Sequence, residues 1–214
     1  METFEQKMYA NLAPLLQKER FSLHSKLKQF RRKTSFGFQN IVFSVHQQNE
    51  QYYIDVNLGV RFDMVEQISQ QFLDICPSFR PESTTMMISV KKLVENKYLE
   101  YKINQQNEKQ ELEIFINQIH DFMLKKGYDF LQEISQIKNA DEMLNAFPCQ
   151  NTPYLYDQVQ RCFKALIIAR MCNRNLFIPL LETYYEHLQN LETPEKMICN
   201  YDRLANYLLH FSFN

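Results

Sequence analysis

The densest positive charge in the chain lies in LKQFRRKTSFGFQN, residues 27–40, where Lys28, Arg31, Arg32 and Lys33 are interleaved with Phe30, Phe36 and Phe38. Cations for phosphates and rings for bases are the groups a single-stranded nucleic-acid groove needs. The polar end of a β-hairpin needs the same groups for a different reason. At strand spacing Lys26, Lys28, Phe30 and Arg32 share one face, and Leu27, Gln29 and Arg31 the other. Charge on both faces marks a chain leaving its sheet, with Lys33, Thr34 and Ser35 as the turn. Edge lysines and arginines also discourage edge-to-edge pairing. The solvated hairpin is the preferred reading. Nucleic-acid contact through the basic hairpin at 26–33, by Lys28, Arg31, Arg32 and Lys33, is the alternative.

A second set lies on two segments that alternate with period two. In YYIDVNLGV, Tyr53, Asp55 and Asn57 share a face between apolar neighbours. In NIVFSVHQ, Ser44 and His46 do the same. If that face is concave, His46, Tyr53, Asp55 and Asn57 form a ligand groove or a catalytic cleft with a perturbed acid or base. The competing and preferred reading is the wet face of an antiparallel sheet. His120-Asp121 is a dipeptide that metal-dependent phosphohydrolases use, but His24, His46, His187 and His210 add no spacing that completes a ligand set. Cys162, beside Val159, Phe163 and Leu166, and Cys199, beside Met197 and Ile198, read as buried and unreactive thiols. Tyr184-Tyr185-Glu186-His187 could line a cleft, or pack its rings and leave its tips in water.

Composition narrows the classes. The chain has 214 residues, a net charge of −1 and 45% hydrophobic residues. That is enough to bury a core and too little positive charge for a generally basic nucleic-acid binder. There are three glycines, Gly37, Gly59 and Gly127, far apart. A P-loop, a dinucleotide-binding turn and a nucleophile elbow each need clustered glycines, so none can be built. Five scattered cysteines without a CxxC read as free thiols in a reducing compartment. The opening METFEQKMYANLAPLLQKER is acidic and amphipathic, unlike a secretory leader. No apolar run is long enough to span a membrane. A soluble cytoplasmic protein is the expectation.

The elements that must position these residues follow from periodicity. A helix is predicted over 3–19, with a kink or break at Pro14. Strands are predicted near 23–33, 37–47 and 51–61 as an antiparallel meander, the last two joined by the polar HQQNEQ. A short helix follows over 64–75 with Asp63 as N-cap, then strands near 84–93 and 97–103. Leu112, Phe115, Ile116, Ile119, Phe122 and Met123 form a helical stripe that Gly127 can end. After short helices and the loop CQNTP, helices are predicted over 155–172 and 176–190. A last one has Thr193 as N-cap and Pro194 at its first position.

Several stretches in this order resemble one family. They are FSLHSKLKQFRRKT, NIVFSVHQQ, YYIDVNLGVRF with its core Asn57-Leu58-Gly59-Val60, GYDFLQEISQIKNADEML, and KALIIARMCNRN. The order resembles the bacterial domain-of-unknown-function 4304 family over roughly residues 4–190. Its motifs are structural, so the resemblance implies architecture and bacterial origin and carries no site residue across. Some small α+β proteins of this type serve as immunity proteins against toxins, which favours a protein partner.

The expected fold is α+β: an antiparallel sheet of about five strands with helices on one face and a C-terminal all-helical portion. Residues 1–148 form the sheet domain and 149–214 the helical portion packed on it as one unit. The expected function is a non-enzymatic protein-interaction role, immunity-like in its narrower form. The alternatives are an enzyme or small-ligand binder on the polar sheet face, and a nucleic-acid binder. No catalytic residue, metal or cofactor is assigned, and no membrane partner is expected.

Overall fold

The computed structural model describes residues 2–96, 99–172 and 175–211. The fold is α+β. Among the described residues six strands form one sheet in the order β1-β2-β3-β4-β5, with β6 also paired to β4. They are β1 (Ser22–His24), β2 (Gln29–Lys33), β3 (Gly37–Gln48), β4 (Gln51–Phe62), β5 (Met86–Ser89) and β6 (Tyr101–Asn104). The chain divides into two compact units, residues 1–60 with 88–133, and residues 61–87 with 134–214. Residues 149–214 fall in the second of these units.

In the first unit, α1 (Phe4–Lys18) begins with a capping box: Thr3 and Gln6 each bond the other's backbone N–H. The helix runs through Pro14 without the expected break. Pro14 is on the exposed side, where water can take the carbonyl it leaves unbonded. The predicted strand 23–33 is two strands. A 3₁₀ turn at Ser25–Leu27 and left-handed Lys28 (φ 52°) fold β1 back on β2, with Leu23 opposite Phe30. Arg32 pairs with Gln39 and Phe30 with Ile41. Directly opposite residues share a face, so Phe30, Ile41, Arg32 and Gln39 lie on one side, and Arg31 with Asn40 on the other. The apolar side receives α1 and α4 (Glu108–Phe122). The Tyr9 ring sits 5.9 Å from Phe30, Phe115 sits 6.4 Å from Phe43, and Phe4 stacks on Tyr52 at 4.0 Å.

The hairpin between β3 and β4 turns at Asn49 and Glu50, both with positive φ (47° and 58°). Two such residues in a two-residue loop are the type I′ geometry that matches strand twist. Glycine is the preferred second residue of that turn, and glutamate there is strained. Glu50→Gly should therefore stabilise the protein by about 0.5–1 kcal/mol, the relief of strain outweighing the added freedom of the unfolded chain. A thermal melt checks this, and a lowered midpoint would contradict it.

Two further expectations are corrected in this unit. The predicted strand 84–93 ends at Ser89, whose side chain caps α3 (Val90–Leu93) by accepting the Lys92 N–H. Gly127 does not end its helix. Residues 123–127 form a π turn leading into α5 (Tyr128–Ile134), and a Cβ on Gly127 would lie 2.5 Å from Met123 Sδ. The strand predicted near 97–103 is observed as β6, while Lys97 and Tyr98 lie outside the described residues.

The second unit contains α2 (Asp63–Ser69), α6 (Ile137–Asn145), α7 (Gln158–Met171), α8 (Phe177–Asn190) and α9 (Glu195–His210). Asp63 and Pro194 are each displaced by one position from the predicted caps. Phe62 occupies the N-cap of α2 and Pro194 that of α9, and neither end has a side-chain cap. Residues 161–169 of α7 are buried without interruption, so α7 is the central helix of this unit. Its polar residues are paired within it. Glu66 and Lys164, 0% and 2% exposed, form an ion pair at 2.9 Å. Lys164 also donates to the Thr84 carbonyl at 2.8 Å, and Glu66 accepts from the Ser83 and Thr85 hydroxyls at 2.7 and 3.0 Å. This network fastens the segment 61–87 to α7.

Candidate functional site

The basic stretch and the polar strand residues fall at two places in the first unit. On the wet side of β3 and β4 the rings of His46 and Tyr53 stack, with centroids 5.3 Å apart and planes 8° apart. Lys102 of β6, directly across from Tyr53, places its ammonium 5.5 Å from that ring and pairs with Glu100 at 2.6 Å. Asp55 is exposed and Asn57 half-buried further along β4. Thus His46 and Tyr53 are brought together as a stacked pair with Lys102 alongside. The cavities described below are lined by other residues.

The basic stretch divides. Lys33 is exposed as the last residue of β2, ahead of a turn in which the Thr34 N–H bonds the Gly37 carbonyl at 3.0 Å. Lys28 pairs with Glu5 at 2.8 Å. Arg31 and Arg32 are not solvated as expected for a hairpin end; both are half-buried. Arg31 lies 4.0 Å over the Phe38 ring. Arg32 lies 4.7 Å over Phe21 and donates to Gln39 Oε1 at 2.7 Å and the Glu19 carbonyl at 3.3 Å. Phe38 of the interleaved set, and Phe21 from outside it, thus serve as seats for the guanidiniums.

The remaining candidates are held structurally. Asp121 pairs with Lys125 at 3.2 Å one helical turn away. Cys162 is fully buried, and desolvation pushes its thiol up to about 12. Cys199 is exposed, a correction to its predicted burial. Tyr184 is fully buried and His187 9% exposed, so that tetrad packs inward at two of its four positions.

A different site stands out in the second unit, between α6 and α7. Arg161, 1% exposed, turns its guanidinium onto the end of α6 and the loop 146–157. Nε and one terminal nitrogen donate to the Leu144 carbonyl at 3.1 and 2.6 Å. The Phe147, Pro148 and Gln150 carbonyls accept at 3.0, 2.8 and 3.1 Å. All five N–H groups are used, and the positive charge sits at the negative end of α6. The far end of the loop is tied by Gln158, whose amide donates to the Leu155 carbonyl at 2.6 Å and accepts the Thr152 N–H at 3.2 Å. Met87 N–H bonds the Tyr154 carbonyl at 2.8 Å. Tyr184, 5.0 Å from the guanidinium, donates to Asn145 Oδ1 at 2.6 Å.

This anchored loop turns large rings outward. Phe147 is 68% and Tyr156 59% exposed. A cavity of about 340 Å³ opens beside Phe147, lined in part by Met143, Phe147, Pro153, Tyr154 and Arg161. Larger in volume is a groove of about 690 Å³ at the start of α1, but Lys7 and Glu108 within it pair at 2.6 Å, and Phe4 and Tyr52 stack on each other. Sequence reasoning took CQNTP for a plain loop. Its signal was the run FPCQNTPYLYD, in which two prolines and several rings share one irregular segment.

His187 gives this region a pH dependence. Its Nε2 is buried without a hydrogen-bond partner among the described residues. Burial first, and the Arg161 charge second, hold its pKa below the ordinary value. A depressed histidine pKa means that the folded state resists protonation. Its contribution to stability is intact above about pH 6.5, the unfolded value, and is lost as pH falls through the folded one. The melting temperature of the wild type should fall across that window by more than that of His187→Gln. Equal falls would contradict this.

Among the described residues no helix is long and apolar enough to cross a membrane. Comparison with protein-family models, curated proteins and solved structures finds no match to this chain.

Proposed function

We propose that the chain is a non-enzymatic protein-interaction protein that binds its partner through the loop 146–157. The observation that carries this reading is the exposure of Phe147 and Tyr156 on a loop whose backbone is held by the five Arg161 hydrogen bonds at one end and by Gln158 at the other. Interfaces draw most of their energy from a few aromatic anchors. A loop already rigid before binding gives up little entropy when it docks. The buried ionisable groups Glu66, Lys164 and Arg161 are engaged with one another or with backbone, which supports a structural use over a catalytic one. Neutralisation of a toxin, bacterial origin and a place in the 4304 family are narrower parts of the proposal and rest on the sequence resemblance. A second reading, a small-ligand or catalytic site on the polar sheet face, is favoured by the stack of His46 on Tyr53 beside Lys102.

The test is capture of a partner from cells of the source organism by immobilised wild type and by the double variant Phe147→Ser/Tyr156→Ser. Both side chains are exposed, so the variant should melt with the wild type. Loss of two anchors at about 1 kcal/mol or more each should weaken capture by roughly tenfold or more. Equal capture by both proteins would remove this reading.

A further inference from the structure

We propose that the cavity beside the loop receives one uncharged apolar side chain of the partner, presented on an extended peptide segment. This rests on the reading of loop 146–157 as the interaction site and adds the chemistry of what enters it. At about 340 Å³ the cavity is at the lower end of the range for small-ligand sites, roughly 300–1,000 Å³. Met143, Phe147, Pro153 and Tyr154 give it apolar walls.

Arg161 is the only charged residue of the lining. Its five N–H groups all point to backbone carbonyls. A guest carboxylate would be drawn by the guanidinium's charge, but it would lose its water and gain no hydrogen bond from the guanidinium in return. A guest ammonium would meet a like charge with no carboxylate in the lining to offset it. Burying a charge of either sign without a hydrogen-bonded partner is costly, so a neutral guest is selected. The exposed side-chain amides of Gln150 and Asn151 also line the cavity. They offer donors and acceptors that a hydrocarbon would not use and a peptide backbone would. The pinned carbonyls keep the cavity preformed, so the guest need not open it.

The experiment titrates three probes to millimolar concentration into isotope-labelled protein and follows backbone amide shifts. The probes are N-acetyl-phenylalaninamide, which is neutral, N-acetyl-glutamic acid amide, which is anionic, and N-acetyl-lysinamide, which is cationic. The expected result is saturable shifts at residues 143–154 with the neutral probe and at least tenfold weaker binding of both charged probes. The shifts should vanish in Ala146→Trp, in which an indole at the exposed, cavity-lining Ala146 fills the mouth. Met143→Trp fills it from a second side and should behave alike. Absence of shifts with the neutral probe, equal binding of a charged probe, or unchanged binding in both filled variants would overturn the cavity's role. If partner capture still fails in Phe147→Ser/Tyr156→Ser while no probe binds, the cavity assignment is overturned and the loop stands. If capture is unaffected in that variant, the loop reading itself is overturned.

Discussion

Lys164→Met should cost about 3–5 kcal/mol of stability, the usual price of leaving one member of a buried ion pair behind. Total stabilities are only about 5–15 kcal/mol, so the variant should sit near the edge of unfolding at ordinary temperature. Methionine fills much of the lysine's volume, so cavity formation contributes little. What is lost is the partner of Glu66, whose carboxylate is fully buried, together with the bond to the Thr84 carbonyl. Glu66 would keep the Ser83 and Thr85 hydroxyls as donors but no opposing charge. The double variant Glu66→Met/Lys164→Met removes both charges and should recover part of the loss. Chemical denaturation of the single and double variants measures it. A single variant as stable as wild type would mean that Glu66 finds another partner.

Arg161→Met should be nearly as damaging, and for a different reason. The guanidinium gathers four backbone carbonyls on one planar group. Without it the Pro148 and Gln150 carbonyls lose the bonds that turn them inward, while the Leu144 carbonyl keeps the Tyr184 hydroxyl and the Phe147 carbonyl keeps the Gln150 N–H, each at 3.1 Å. Buried acceptors left unsatisfied cost about 1–3 kcal/mol each when water cannot reach them. Part of the loop is exposed and can be rehydrated, so a total of about 3 kcal/mol is expected. Arg161→Lys should not rescue it, because one ammonium cannot reproduce a planar five-donor fork. Denaturation should show the stability loss, and amide exchange should show the loop 146–157 opening while the first unit keeps its protection. Rescue by lysine would contradict the clamp.

The long strands were readable because alternation runs through their middle portions. Ile41 and Phe43 are buried while Ser44 and His46 are exposed, and Ile54, Val56, Leu58 and Val60 are buried in turn on β4. Elements whose signals compete were not. The fold-back at Lys28 uses a left-handed residue that is not glycine, so nothing in SLHSKLKQF announced it. MMISVKKLV alternates like a strand through Val90, but Ser89 can cap a helix and does. Gly127 looked like a stop because glycine usually ends helices, whereas here it admits the Met123 side chain inside a π turn. The polar strand face was legible as a face, and its stack of His46 on Tyr53 follows from cross-strand neighbours. The loop site was not. In QVQRCFKALIIAR an arginine reads as an ordinary helix cation, and its partners are backbone carbonyls contributed by 144–150. Backbone acceptors carry no residue-type signature, so a contact of this kind is invisible until the chain is folded.

The most direct test of the binding role compares the affinity of the captured partner for the wild type and two surface variants. One is Phe147→Ser on the anchored loop. The other is His46→Ser/Tyr53→Ser on the polar sheet face. All the altered side chains are at least partly exposed, so the folds should survive. The expected result is a tenfold or greater loss of affinity for Phe147→Ser and wild-type affinity for His46→Ser/Tyr53→Ser. Wild-type affinity in Phe147→Ser with loss in the sheet variant would contradict the loop and move the site to the stacked pair.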